Sequence, residues 1–203
     1  MNNLTAKSHP GDLFYIPAFD KDGKCGIVIA RYIELMAPNV GHIIEIFNKH
    51  YKSFPTNITE VDMSTRLLRP VMFDMYFKDI PRWKVLFSDS EYEKSQSDYK
   101  NISFAFYFDA WVGGRTVKAS KEQLKDMEES TCWGPEHLIF IVNAYLAGIF
   151  AGHEQFRDEV VPPEQQVDNP SAYARVIDLA KSIDKKMKTL AIELKRKPKI
   201  RFE

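Results

Sequence analysis

Apolar positions follow two rhythms along this chain, and the change comes near residue 120. Before it the apolar runs are short, rich in aromatic and β-branched residues, and bounded by Pro, Gly and Asp, which is the pattern of strands and turns. Residues 12–17 (DLFYIP) form the first run and residues 25–33 (CGIVIARYI) the second. The DKDG segment between them, residues 20–23, predicts a tight turn, because glycine after aspartate takes positive φ without steric cost. Residues 27–30 are apolar without alternation, so that strand needs cover on both faces and belongs in the middle of a sheet. Residues 34–41, with Pro38 and Gly41, predict a loop, and residues 42–47 a third strand antiparallel to the second.

The next stretches are less regular. Residues 48–59 are polar with Pro55, and Phe54 and Ile58 are their candidate core anchors. Residues 63–77 are rich in large apolar side chains around Pro70; a proline there argues against one helix and predicts a short strand to Leu68, then an irregular or edge segment. Residues 82–87 (RWKVLF) predict a fourth strand with Trp83, Val85 and Phe87 on one face. Residues 88–100 (SDSEYEKSQSDYK) are the most polar stretch and predict an exposed loop. Residues 101–112 predict one strand, with Phe104, Phe106 and Phe108 opposite Ala105, Tyr107 and Asp109, and residues 115–118 a short strand returning from the Gly113-Gly114 turn.

From Ser120 the apolar spacing lengthens. Ser120 is a candidate N-cap for a short polar helix over residues 121–128, and Pro135 suits the first turn of the next helix. Residues 138–151 are apolar nearly all round, interrupted by Asn143 and Gly148, which predicts a buried helix; at about 14 residues the run falls short of the roughly 20 a membrane span requires. Gly152 is its predicted stop, residues 160–170 a proline-bearing connector, and residues 171–197 a last helix with a lysine-rich outer face. The expected fold is α+β: a twisted antiparallel sheet or partly open barrel over residues 1–118, packed against the helices of residues 119–203.

Composition narrows the function classes. Of 203 residues, 28 are basic and 28 acidic, so the chain lacks the basic excess of a nucleic-acid binder. The two cysteines, Cys25 and Cys132, have no ligand spacing, and the N-terminus lacks a charged-then-apolar leader, so a cytoplasmic protein with reduced thiols is expected. His42 and His50, or His137 and His153, do not have the spacing of a zinc pair. There is no nucleophile elbow and no phosphate-binding glycine loop. No cofactor, metal or catalytic residue is therefore expected. Asp109, at the end of an aromatic strand, is the one carboxylate suited to acid–base work, and more simply an outward polar residue. Tyr92, Tyr99, Tyr107 and Trp111 lie near polar loops, where such residues serve as interface anchors.

The G-D-L-F-Y-I-P opening, the Asp-Gly turn and the following strand with Gly26 and Arg31 resemble the immunity protein 26 family of bacterial polymorphic toxin systems. The likeness extends through residues 67–74 (LLRPVMFD) and Trp83-Lys84-Val85, so it covers residues 10–90 and leaves the C-terminal half aside. Arg31 stands further from the glycine than the family pattern has it. The resemblance implies a non-enzymatic, β-rich cytoplasmic protein that neutralises a cognate toxin, such as a nuclease, by covering its active site. On that basis the expected partner-binding residues are Glu91, Tyr92, Glu93, Asp98, Tyr99, Tyr107, Asp109 and Trp111. The rival expectation is a small-ligand binder or enzyme that uses Asp109, Arg115 and His153 in a cleft between sheet and helices.

Overall fold

The computed structural model describes residues 2–3, 9–20, 24–36, 41–73, 84–106 and 108–146. The two apolar runs that open the chain pair as expected. β2 (Asp12–Phe19) and β3 (Cys25–Met36) are antiparallel in unbroken register from Leu13↔Arg31 to Phe19↔Cys25. β4 (Gly41–Ile46) pairs antiparallel with the other side of β3. A strand buried on both faces must sit inside a sheet, and β3 does: the seven-stranded order is β1-β6-β2-β3-β4-β5-β11. Here β1 is Asn2–Asn3, β5 Val71–Phe73, β6 Lys84–Ser88 and β11 Cys132–Trp133.

Three expectations need correction. β3 runs on through Glu34 to Met36, the start of the loop expected from Pro38 and Gly41; a register shift between Tyr32 and Glu34 absorbs one residue and lets pairing with β4 resume. Around Pro70 the strand follows the proline and does not precede it. Arg66 makes only an isolated bridge to Phe47, while Val71–Phe73 pairs with β4, because a proline ahead of a strand removes no ladder donor. The third correction concerns the expected single strand of residues 101–112, which is a hairpin of β7 (Ser103–Phe106) and β8 (Asp109–Val112). The aromatic alternation runs through the reversal and so conceals it. Phe108 therefore projects at the tip, 77% exposed, instead of joining Phe104.

β9 (Arg115–Lys118) returns from a turn in which Gly113 and Gly114 both have positive φ. Ser120 caps α1 (Lys121–Lys125) in a reciprocal capping box with Gln123. β10 (Glu128–Glu129) then joins the second, four-stranded sheet, ordered β10-β7-β8-β9, and β11 joins the first. The stretch after residue 118 thus adds one edge strand to each sheet before α2 (Pro135–Leu146) begins.

Strand alternation divides the core into layers. Phe14, Ile16, Ala18, Val28, Ala30 and Tyr32 face α2, meeting Leu138 and Val142. Burying these two side chains completely contributes about 1.5–3 kcal/mol each. On the opposite face Leu13, Tyr15, Ile27 and Ile29 pack with Phe47 and Val61. Further along that face Ile33, Met36, Ile43 and Met72 receive Ile102, Phe104 and Trp111 from the second sheet and its approach. The expected buried helix is present over its described residues, and Asn143 within it has a definite task. Its side-chain oxygen accepts the Phe19 N–H at 2.7 Å, and its amide donates to the Pro17 and Ile139 carbonyls. Among the described residues β6 pairs with β2 at residues 12–14, and Asn143 bonds the Phe19 and Pro17 backbone further along the same strand. The Asp-Gly turn at residues 21–23, Trp83, Gly152 and the predicted last helix lie outside the described residues.

Candidate functional site

Two charged residues sit inside apolar strands, Arg31 on β3 and Glu45 on β4, and both are at least 95% buried. Charge at such depth requires partners. Arg31 and Glu45 are paired at 3.2 Å, and Arg66 joins the same carboxylate at 2.7 Å. The Arg31 guanidinium lies between two rings, 5.3 Å from the centroid of Phe47 and 4.8 Å from that of Tyr92, and also contacts the Met63 sulfur. These ring contacts offset part of the desolvation cost of burying the Arg31 cation.

This cluster lies between the two apolar groups of the face opposite α2, and a strap crosses above it. The strap is residues 89–101, two 3-10 turns, Lys94–Ser97 and Tyr99–Asn101, joined at Asp98. Asp98 has φ +46°, in the left-handed region that aspartate tolerates better than most residues, and its carboxylate accepts from the Asn101 amide. Within the strap only Ser97 is fully buried. Its hydroxyl donates to Glu45 at 2.6 Å and meets the Tyr92 hydroxyl at 2.7 Å, while its carbonyl accepts from Arg66. A second anchorage uses Glu34, the residue that extends β3, which accepts from both the Lys94 ammonium and the Tyr99 hydroxyl. The Tyr99 ring stands edge-on to Trp111, 5.8 Å between centroids, which ties the strap to the second sheet. At the strap's entry Gly11 has φ +93°, and an added Cβ would lie 2.6 Å from the Asp89 carbonyl oxygen and from the Tyr92 Cβ. The glycine of the G-D opening thus makes room for the strap, and Asp12 accepts the His9 N–H at 2.8 Å.

The expected partner-binding residues consequently separate into two groups. Glu91, Glu93 and Asp98 are exposed on the strap's outer side. Tyr92 and Tyr99 turn inward and hold it down, and Trp111 is buried beneath the second sheet. The polar stretch is exposed over most of its length, as its composition suggests, and is docked to the sheet by the side chains of Tyr92, Lys94, Ser97 and Tyr99. Burial pushes the Tyr99 phenol well above its ordinary value, helped by its bond to the Glu34 carboxylate, and burial likewise raises Tyr92. Both phenols stay protonated and remain donors at neutral pH.

Asp109 is half-buried on the same face of β8 as Trp111 and is paired with Lys118 across the β8–β9 hairpin at 2.7 Å. Arg115 pairs with Val112 at the other end of that hairpin, and strand alternation places it on the opposite face from Asp109. The fold does not bring those two rival candidates together; His153 and Tyr107 lie outside the described residues. His42 is buried on β4 against the Tyr32 ring, and the His50 ring packs where a Gly26 side chain would stand. Among the described residues no group of three or more His, Cys, Asp or Glu is arranged to hold a metal ion, and no helix is long and apolar enough to cross a membrane.

Sequence reasoning gave no site role to Glu34, Glu45, Arg66 and Ser97, and named Arg31 only as part of the family resemblance. The signal was available for two of them: a lone charge within VIARY and another within HIIEIF must be paired if those strands are buried. Nothing local marks Ser97 or Arg66, which meet Glu45 from 52 and 21 residues away. No protein-family model, curated protein or solved structure matches the chain.

Proposed function

We propose that this chain is an immunity-type binding protein that neutralises a cognate bacterial toxin by covering its active site, with the outer side of the strap as the contact face. One observation carries the proposal: Glu91, Glu93 and Asp98 are exposed on a segment whose inward side chains are fixed to the sheet. A segment held in one conformation before contact loses little entropy on binding. Residues 88–100 carry four carboxylates against two lysines, and one of those lysines is already engaged by Glu34. Such a face suits a basic surface, and charge complementarity contributes chiefly to encounter rate and partner choice. The resemblance of residues 10–90 to the immunity protein 26 family points the same way, as does an antiparallel scaffold that offers surface. A cytoplasmic site of action belongs to the same proposal.

The test is co-expression and co-purification with the product of the neighbouring open reading frame, for the unaltered chain and for the charge reversal E91K/E93K/D98N. Glu91 and Glu93 are exposed, and asparagine keeps the left-handed conformation and side-chain acceptor of position 98, so the fold should survive. The expected result is protection of the host by the unaltered chain, at least about tenfold weaker binding by the triple variant, and a shallower salt dependence. Binding unchanged by the reversal would remove the strap from the interface; no protection and no complex would remove the immunity function.

A further inference from the structure

We infer that residues 89–101 are a catch-held strap that lifts from the sheet as a unit while the sheet remains folded, with Glu45 as the catch. The inference rests on the proposed reading only for its consequence, that lifting would disassemble the acidic face; the strap's attachment itself stands on the contacts.

Both flanks are fixed. Ser88 pairs with Asp12 in the β6–β2 ladder, and Ile102 is buried with Phe104 and Trp111. Between them, apart from Asp89 N–H to Gly11 at the strap's entry, the strap's backbone bonds close local turns: Gln96 N–H to Glu93, Asp98 N–H to Ser95, Asn101 N–H to Asp98. Local turns survive lifting, so they do not resist it. What holds the strap down is largely polar, beside the ring contacts of Tyr99 with Trp111 and of Tyr92 with the Arg31 cation. Ser97 is its one fully buried residue, and its attachments converge on two sheet carboxylates, Glu45 and Glu34. By contrast β2 and β3 are joined by a continuous ladder and buried apolar side chains on both faces. Segments with few buried apolar contacts open at lower free energy than the core to which they are attached. Glu45 touches both Ser97 and Arg66, and Arg66 in turn holds the Ser97 carbonyl, so one carboxylate organises the central contact on both sides. Glu45 is under the strap and does not reach the outer face; it is a positioning residue.

The test is hydrogen exchange read by mass spectrometry on the full chain, comparing peptides from the strap with peptides from β2 and β3. In the unaltered protein, sub-denaturing urea should remove strap protection at a lower concentration than core protection. In Ser97→Ala, which keeps the Arg31–Glu45–Arg66 pairs in place, strap amides should exchange about tenfold faster while those of β3 keep their rate. Glu45→Gln also strands Arg31 on β3 and so accelerates both, and in it the strap should still lose protection at lower urea than β3. Strap and β3 amides accelerating together in Ser97→Ala, or strap amides unaffected by it, would overturn the inference. Neither measurement uses a partner, so this result and the toxin-binding result are read independently.

Discussion

Replacing Asn143 by leucine tests how α2 is tied to β2. Leucine fills much the same volume on α2 and is favourable in a helix, so the change isolates hydrogen bonding from cavity formation. Three bonds disappear. The Ile139 carbonyl keeps its helical partner and loses little. The Phe19 N–H and the Pro17 carbonyl both lose their bond to Asn143, beside the apolar layer under α2. An unsatisfied buried backbone group costs about 1–3 kcal/mol, and partial access of water at half-buried Phe19 puts the sum near 2–4 kcal/mol. The assay is equilibrium urea unfolding of the full chain, with the slope checked to be unchanged, together with exchange of the Phe19 amide. The expected outcome is a lower midpoint with Phe19 the amide most accelerated. A loss under about 0.5 kcal/mol would show that those backbone groups find water readily, and would refute the bridging role given to Asn143.

Other outcomes follow from the same contacts. Gly26→Ala places a Cβ 2.3 Å from the Tyr51 carbonyl oxygen and 2.4 Å from the His50 ring. It should cost about 2 kcal/mol or more in thermal or urea unfolding, and His50→Ala should not restore the loss, because the Tyr51 carbonyl is fixed by its bridge to Ile27. Glu45→Leu alone strands two guanidiniums and should cost about 3 kcal/mol, whereas R31M/E45L/R66M should regain most of it; a triple variant no more stable than the single one would contradict the account of the buried charges. Folded-state pKa values of Tyr99 and Tyr92 lie above those of the unfolded chain, so the folded form retains protons that the unfolded form releases. Stability is therefore whole below about pH 10 and declines as pH rises beyond it. Urea midpoints measured across that range should fall, and Tyr99→Phe should flatten the fall; an identical slope in the variant would assign the decline to other groups.

The residues that specify the strap are distributed by function as much as by position. Carboxylates at the outer positions and donors at the inner ones make one short segment both a surface and a lock. Substitutions at the two kinds of position should thus separate cleanly, the outer ones altering binding and the inner ones altering order.

What the chain determines locally is legible without coordinates. Its apolar runs and turn residues foretell the β2–β3 pairing, the central place of β3, the return strand after Gly113-Gly114, the Ser120 cap and the helix that starts at Pro135. Each depends on periodicity or on a residue's own backbone preference, which act over a few positions. Tertiary structure decided the remainder. A two-residue reversal hidden in an unbroken aromatic alternation made a hairpin of one expected strand. The inward placement of Ser97 and Tyr99 on the strap, and of Asn143 against β2, depends on partners 52 to 126 residues distant. Hydrophobic patterning tells a residue whether it is to be covered, but only the folded chain supplies the particular donor or acceptor that makes burying a polar group affordable.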